Sequence, residues 1–143
     1  MSETPKTVLF VCVHNAGRSQ MAEAFVNKLA AERGLSVRGE SAGTEAGERV
    51  NPLAVQVMGE LGISMEGQRP KQLTQEMAAG AARIITMGCG VDATSCPANV
   101  YFTDDWGLDD PAGKPIEKVR EIRDQIRSHV EELLTGLAGE GKR

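Results

Sequence analysis

Val8-Leu9-Phe10-Val11-Cys12-Val13-His14-Asn15-Ala16-Gly17-Arg18-Ser19-Gln20 is the stretch on which the fold turns. Continuous aliphatic and β-branched residues suit a strand covered on both faces, so Thr7 to Val13 reads as a buried strand. From Ser19 onward, Met21, Ala24, Phe25, Val26 and Leu29 recur at helical spacing until Gly34 stops them. Five residues, Val13 to Gly17, separate Cys12 from Arg18, so one short loop bends both side chains toward a common centre. Its backbone N–H groups and the helix start behind them favour a bound anion. The guanidinium of Arg18 adds a planar fork suited to a tetrahedral oxyanion. The same positive field favours the thiolate of Cys12, and Ser19 is placed to donate a hydrogen bond to that sulfur. Asn15 and Gly17 suit left-handed backbone or local side-chain bonds, while His14 reads as a spacer. A bare Cys-x5-Arg spacing arises often by chance; its place at a strand-to-helix junction, followed by Ser, makes it specific. The spaced glycines and Lys-Ser/Thr of a Walker A loop are missing.

Outward from this loop, strands and helices alternate. Leu35 to Thr44 reads as a second strand passing through Ser41-Ala42-Gly43. Asn51-Pro52 opens a helix with Leu53, Val57 and Leu61 as its buried stripe and Gly62 at its end. After the basic loop Gln68-Arg69-Pro70-Lys71, Leu73 to Ala82 reads as a short helix and Arg83 to Met87 as another buried strand. A Gly-rich loop follows, carrying Cys89 and Cys96 with six residues between them. Asn99 to Thr103 reads as a fourth strand, and Asp104 to Pro111 as an acidic turn. The last helix is expected from about Pro115 to Leu134, with Ile116, Val119, Ile122, Ile126, Val130 and Leu133 on one face, and Gly139 to Arg143 is expected to fray. The order predicts a single α/β domain over residues 1–143, with a folded core at about 6–137: a three-layer α/β/α sandwich around a four-stranded parallel sheet. Ligand sites in such folds gather beyond the carboxyl ends of the strands, where Cys12, Cys89 and Asp110 all fall.

Composition narrows the function. The 143 residues are 41% hydrophobic and 25% charged, with a net charge of −4, which argues against nucleic acid. No apolar run has the length of a membrane span, and Met1 to Lys6 carries no apolar signal region, so a cytoplasmic monomer is expected. Three cysteines in that compartment are not a disulfide framework. A zinc site is disfavoured, because only Cys89 and Cys96 lie close together and His14 and His129 lack metal-like spacing.

Cys12-Val13-His14-Asn15-Ala16-Gly17-Arg18-Ser19 resembles the active-site loop of the low-molecular-weight tyrosine phosphatase fold, and more closely that of the arsenate reductases built on it. The likeness extends through Ser41-Ala42-Gly43-Thr44, the Cys89/Cys96 pair and Asp110-Pro111. It implies that Val13 to Ser19 bind the oxyanion, with Cys12 as nucleophile and Asp110, rather than Asp109, as general acid. Phosphatases of this fold commonly carry tyrosines after Asp-Pro; Ala112-Gly113 stand here instead. The second and third thiols separate the two activities, since removing oxygen from arsenate needs two electrons. In the thioredoxin-coupled reductases three thiols at this separation form a relay, which assigns Cys12, Cys89 and Cys96 to successive disulfides and thioredoxin to their reduction. Related single-domain reductases draw on mycothiol or on glutathione with glutaredoxin, and a phosphatase is the alternative activity. No tightly bound cofactor is implied. Some members hold potassium, and Asn15, Glu23 and Ser41 match three of its ligands. The segment expected to supply an aspartate, Gln68 to Gln72, has no acid, and a lysine or arginine there can replace the cation's charge.

Overall fold

The computed structural model describes residues 6–12, 14–87, 104–108, 111 and 113–141. The chain runs β1 (Lys6–Cys12), α1 (Arg18–Arg33), β2 (Val37–Gly43), α2 (Pro52–Gly59), α3 (Gln75–Gly80), β3 (Arg83–Thr86), β4 (Asp104–Asp105) and α4 (Ile116–Gly141). The strand order is β2-β1-β3-β4 with every pairing parallel. Three strands form the body of the sheet. Asp104 and Asp105 extend it at the edge by pairing with Ile85 and Thr86. The strand expected over 99–103 lies outside the described residues.

β1 is central, and its side chains alternate between two cores, as the period of a strand requires. Val8, Phe10 and Cys12 face the larger one, with Phe25, Met58, Ile122, Ile126 and Val130 from α1, α2 and α4. Leu9 and Val11 face the smaller one, with Ala42, Leu73 and Ile84, which α3 covers through Met77 and Ala78. Each fully buried Phe, Met or Ile contributes roughly 1.5–3 kcal/mol relative to exposure. Phe10 also packs at 5.3 Å against Trp106, which stacks on His129 of α4 at 4.8 Å. Trp106 and Met87 are thus packing residues.

Several elements depart from the reading of the sequence. α2 buries Ala54, Val57 and Met58, while Leu53 and Leu61 pack only partly against the core. Asn51 caps it by accepting a bond from Leu53 N (2.9 Å), and the chain leaves the helix before Leu61. α3 is shorter than expected and begins at the Thr74 cap, because Gln72 and Leu73 run beside Gly43 instead. α4 continues through Gly139 to Gly141 rather than fraying, with Leu134 and Leu137 extending its buried face. Gly34 ends α1 as expected, at φ 67°. Among the described residues no helix is long and apolar enough to cross a membrane.

A charged clasp ties α2 to α4. Arg120 grips Glu60 with two nitrogens, the shorter contact being Nη2 to Oε2 at 2.7 Å. Arg123 Nη1 reaches Glu60 Oε1 (2.8 Å) and Val57 O (2.9 Å), satisfying a carbonyl at the end of α2. The hydrogen bonds from Arg120 hold the Glu60 carboxyl below its usual range. A carboxyl depressed in the folded state stabilises fully above its unfolded pKa and loses that contribution as pH falls through the folded value. Glu60→Gln is therefore expected to melt at a lower temperature than the parent at pH 7. That gap should close as pH falls below the ordinary glutamate value of about 4.3; thermal melts showing a constant gap would refute the assignment.

Candidate active site

The site forms where β1 hands over to α1. Cys12 ends β1 opposite Gly43, and its carbonyl accepts from Thr44 N, so the sheet fixes its backbone. The thiol is only 3% exposed. The loop then reverses at Asn15, which takes a left-handed φ of 53°, and the Asn15 N–H points back at Cys12 Sγ (3.2 Å). From the first turn of α1, Ser19 Oγ approaches the same sulfur at 2.9 Å. The expectation that Ser19 reaches this sulfur is met in geometry.

Gly17 is used differently from the expectation. Its φ of −132° is not left-handed. What glycine supplies is room, because a Cβ there would lie 2.8 Å from Pro111 Cγ. Gly17 also stands at the N-cap of α1, where no side chain caps the first turn and no acidic residue lies within it. No carboxylate within the first turn of α1 itself competes for its N–H groups. Arg18 is buried beside it, and its Nη1 donates to Leu108 O (2.9 Å) on the far side of the sheet end. Trp106 N and Leu108 N in turn donate to Thr86 O and Met87 O. The guanidinium is thereby anchored to the segment leaving β4.

A second layer of hydrogen bonds holds the loop. Asn15 Nδ2 donates to Ser19 Oγ (2.8 Å), while Asn15 Oδ1 accepts from Lys71 N (2.8 Å) and Gln20 Nε2 (3.0 Å). Gln20, fully buried, also donates to Asn15 O and Arg69 O and accepts from Gln68 Nε2 (2.8 Å). Leaving one such amide buried without a partner costs roughly 1–3 kcal/mol, so the partners are required rather than incidental. Gly47 N and Asn51 N donate to His14 O and Ala16 O, which brace the outer side of the loop. His14 itself is exposed and its ring meets Glu45 O at 3.1 Å. Gln20 and Leu108 carried no functional signal in the sequence, while Gln68 stood out only as part of the basic loop and Pro111 only as the partner of Asp110 in their motif.

Asn15, Glu23 and Ser41 do not fit a potassium site. Glu23 Oε1 accepts from Ser41 Oγ (2.6 Å) and lies 3.5 Å from the ammonium of Lys71, and Asn15 Oδ1 already accepts two hydrogen bonds. Lys71 supplies the positive charge that a cation would bring. Val13, Cys89, Cys96, Asp109 and Asp110 lie outside the described residues; Pro111, next along from Asp110, is buried against Gly17.

Residues 7–143 match the model of the low molecular weight phosphotyrosine protein phosphatase family. Among curated relatives, a Synechocystis glutaredoxin arsenate reductase is 35% identical over 134 residues, covering 93% of this chain and 99% of its own. A Staphylococcus aureus arsenate reductase is 35% identical over 130 residues, covering 90% and 95%. An arsenate reductase solved in a phosphate-binding state superposes with a TM-score of 0.78 at 36% identity, covering 92% of this chain and 98% of that one. A thioredoxin-dependent arsenate reductase from Corynebacterium glutamicum superposes at 0.77 with 33% identity, covering 98% of this chain and 65% of that one. With its cysteine, arginine and serine gathered at one strand-to-helix junction, the chain belongs to the low molecular weight phosphotyrosine protein phosphatase family.

Proposed function

We propose that this protein is an arsenate reductase of the cytoplasm, where reducing conditions keep its three thiols available. The observation that carries the reading is the built loop: a buried Cys12 sulfur that accepts from Asn15 N and meets Ser19 Oγ at the start of a helix, with Arg18 beside it. Arsenate is a tetrahedral oxyanion, and N–H groups around a thiolate suit it as they suit phosphate. The arsenate reductases among the relatives and solved structures support reduction over phosphate hydrolysis, as do Cys89 and Cys96, which a phosphatase does not need.

The chemistry follows from the residues. The Cys12 thiolate attacks arsenic and one oxygen leaves as water, with Asp110 as the proton donor. Cys89 attacks Cys12 sulfur; the S–As electron pair passes to arsenic, taking arsenic from the +5 to the +3 state and releasing arsenite. A Cys12–Cys89 disulfide remains. Cys96 attacks Cys89 and frees Cys12, and an external dithiol reduces the Cys89–Cys96 disulfide by exchange. Arg18 and the loop N–H groups hold the oxyanion throughout. Pro111 packed on Gly17 supports Asp110 as the acid, because it keeps that segment of chain against the loop. Thioredoxin is the proposed reductant, in line with the thioredoxin-dependent relative of known structure, while glutaredoxin serves the Synechocystis relative.

Purified protein with thioredoxin, thioredoxin reductase and NADPH should consume NADPH only when arsenate is present. Turnover restored solely by mycothiol, or by glutathione with glutaredoxin, would overturn the thioredoxin assignment but keep the reductase. A high phosphatase rate that survives loss of Cys89 and Cys96 would overturn the reductase itself. Cys96→Ser is expected to stop after one turnover with a Cys12–Cys89 disulfide in its peptide map, whereas Cys12→Ser forms no arsenate-dependent disulfide. Because Lys71 already neutralises Glu23, rates in potassium and sodium chloride at equal ionic strength should agree within about twofold; a strict need for potassium would refute that role.

A further inference from the structure

The contact between Ser19 Oγ and Cys12 Sγ at 2.9 Å does not by itself say which atom donates. The surrounding amides favour the hydroxyl as donor to a thiolate, which can only accept. Lys71 N is a backbone N–H and can only donate, so the Asn15 atom it meets at 2.8 Å is the oxygen Oδ1. The other end of that amide, Nδ2, must therefore face Ser19 Oγ, at 2.8 Å. Ser19 Oγ accepts there, and the hydroxyl's single hydrogen is left for the sulfur. The same logic orients Gln20. Its nitrogen faces Asn15 O, Asn15 Oδ1 and Arg69 O, three acceptors, so its oxygen faces Gln68 Nε2.

We propose that Gln20 and Gln68 are positioning residues for the nucleophile: the amide chain Gln68–Gln20–Asn15–Ser19 locks Ser19 as the hydrogen-bond donor to Cys12. The chain starts at half-buried Gln68 and runs inward through Gln20, Asn15 and Ser19, each of them 0% exposed. Each amide link runs donor to acceptor in one direction, from Gln68 to Ser19 Oγ, which meets the sulfur at 2.9 Å. A donated hydrogen bond favours the charged sulfur over the neutral thiol. Gln20 also braces the left-handed Asn15 through its carbonyl, which keeps the Asn15 N–H aimed at the same atom. Neither glutamine touches the reacting atoms; both act through Asn15 and Ser19. The inference rests on the reading of Cys12 as nucleophile, although its test needs no turnover.

The test is the pH dependence of Cys12 alkylation by iodoacetamide, in a protein whose other thiols are removed by Cys89→Ser and Cys96→Ser. Gln20→Met keeps the length of the side chain and removes its hydrogen bonds; the alkylation midpoint should rise by about half a pH unit or more, equivalent to about a threefold loss of thiolate relative to thiol. Gln68→Met, at the half-buried end, should fold like the parent and shift the midpoint the same way by less. In a Ser19→Ala background, Gln68→Met should shift the midpoint by clearly less than in the parent, because the hydroxyl link is gone and only the Asn15 N–H remains to carry its effect. The charged and titratable groups assigned to the loop, Arg18, His14, the Glu23–Lys71 pair and the proposed acid Asp110, are unaltered in all these variants, so the shift reports the neutral amides. An unchanged midpoint in Gln68→Met overturns the proposal, and so does an equal shift with and without the Ser19 hydroxyl. Failure of arsenate turnover in the parent would instead overturn the assigned reaction and leave the alkylation result standing.

Discussion

The left-handed turn at Asn15 is the constraint from which the rest of the site follows. A non-glycine residue at φ 53° is unfavourable on its own and persists only where its surroundings over-determine it. Here they do so from three sides: Gln20 holds its carbonyl, Lys71 and Gln20 hold its side-chain oxygen, and Ser19 takes its side-chain nitrogen. In return the backbone N–H turns inward to the sulfur of Cys12. Loop conformation and nucleophile chemistry are thus one arrangement.

That arrangement depends on rigid support at both ends. β1 is paired on both sides and buries alternate residues in two separate cores, so Cys12 stands at the end of a well-fixed strand. α1 lies against β2 and α4 and is buried around much of its first half, including Gln20 and Ser19. α2 begins at Asn51, whose N–H braces Ala16, and ends in the clasp of Glu60 with Arg120 and Arg123. The loop is therefore braced on every described side, which is the condition that electrostatic preorganisation of the proposed oxyanion site requires.

The same floor serves hydrolysis and reduction equally, because both begin with a thiolate meeting a tetrahedral oxyanion. What separates them is where the electrons come from. Membership of a phosphatase family is therefore compatible with either reaction, and under the proposed function Cys89 and Cys96 make the difference. At the rim, the ammonium of Lys71 lies within reach of Glu23 and balances its charge.

The sequence by itself determined the alternation of strands and helices, the strand-to-helix junction at Cys12, and the association of Cys12, Arg18 and Ser19. These are local features, carried by apolar periodicity and by residues a few positions apart. It also carried the lack of an acid between Gln68 and Gln72. Only the tertiary structure decided that Gly17 is needed for its closeness to Pro111, that Leu108 anchors Arg18, and that α4 runs on to Gly141. It alone joined Gln20 and Lys71 to Asn15 and brought Gln68 onto Gln20. These contacts link residues up to 94 positions apart, as from Gly17 to Pro111, and involve amides and glycines whose meaning comes from the partner they meet. Periodicity reports which face a residue presents. It holds no record of which distant carbonyl that face will meet.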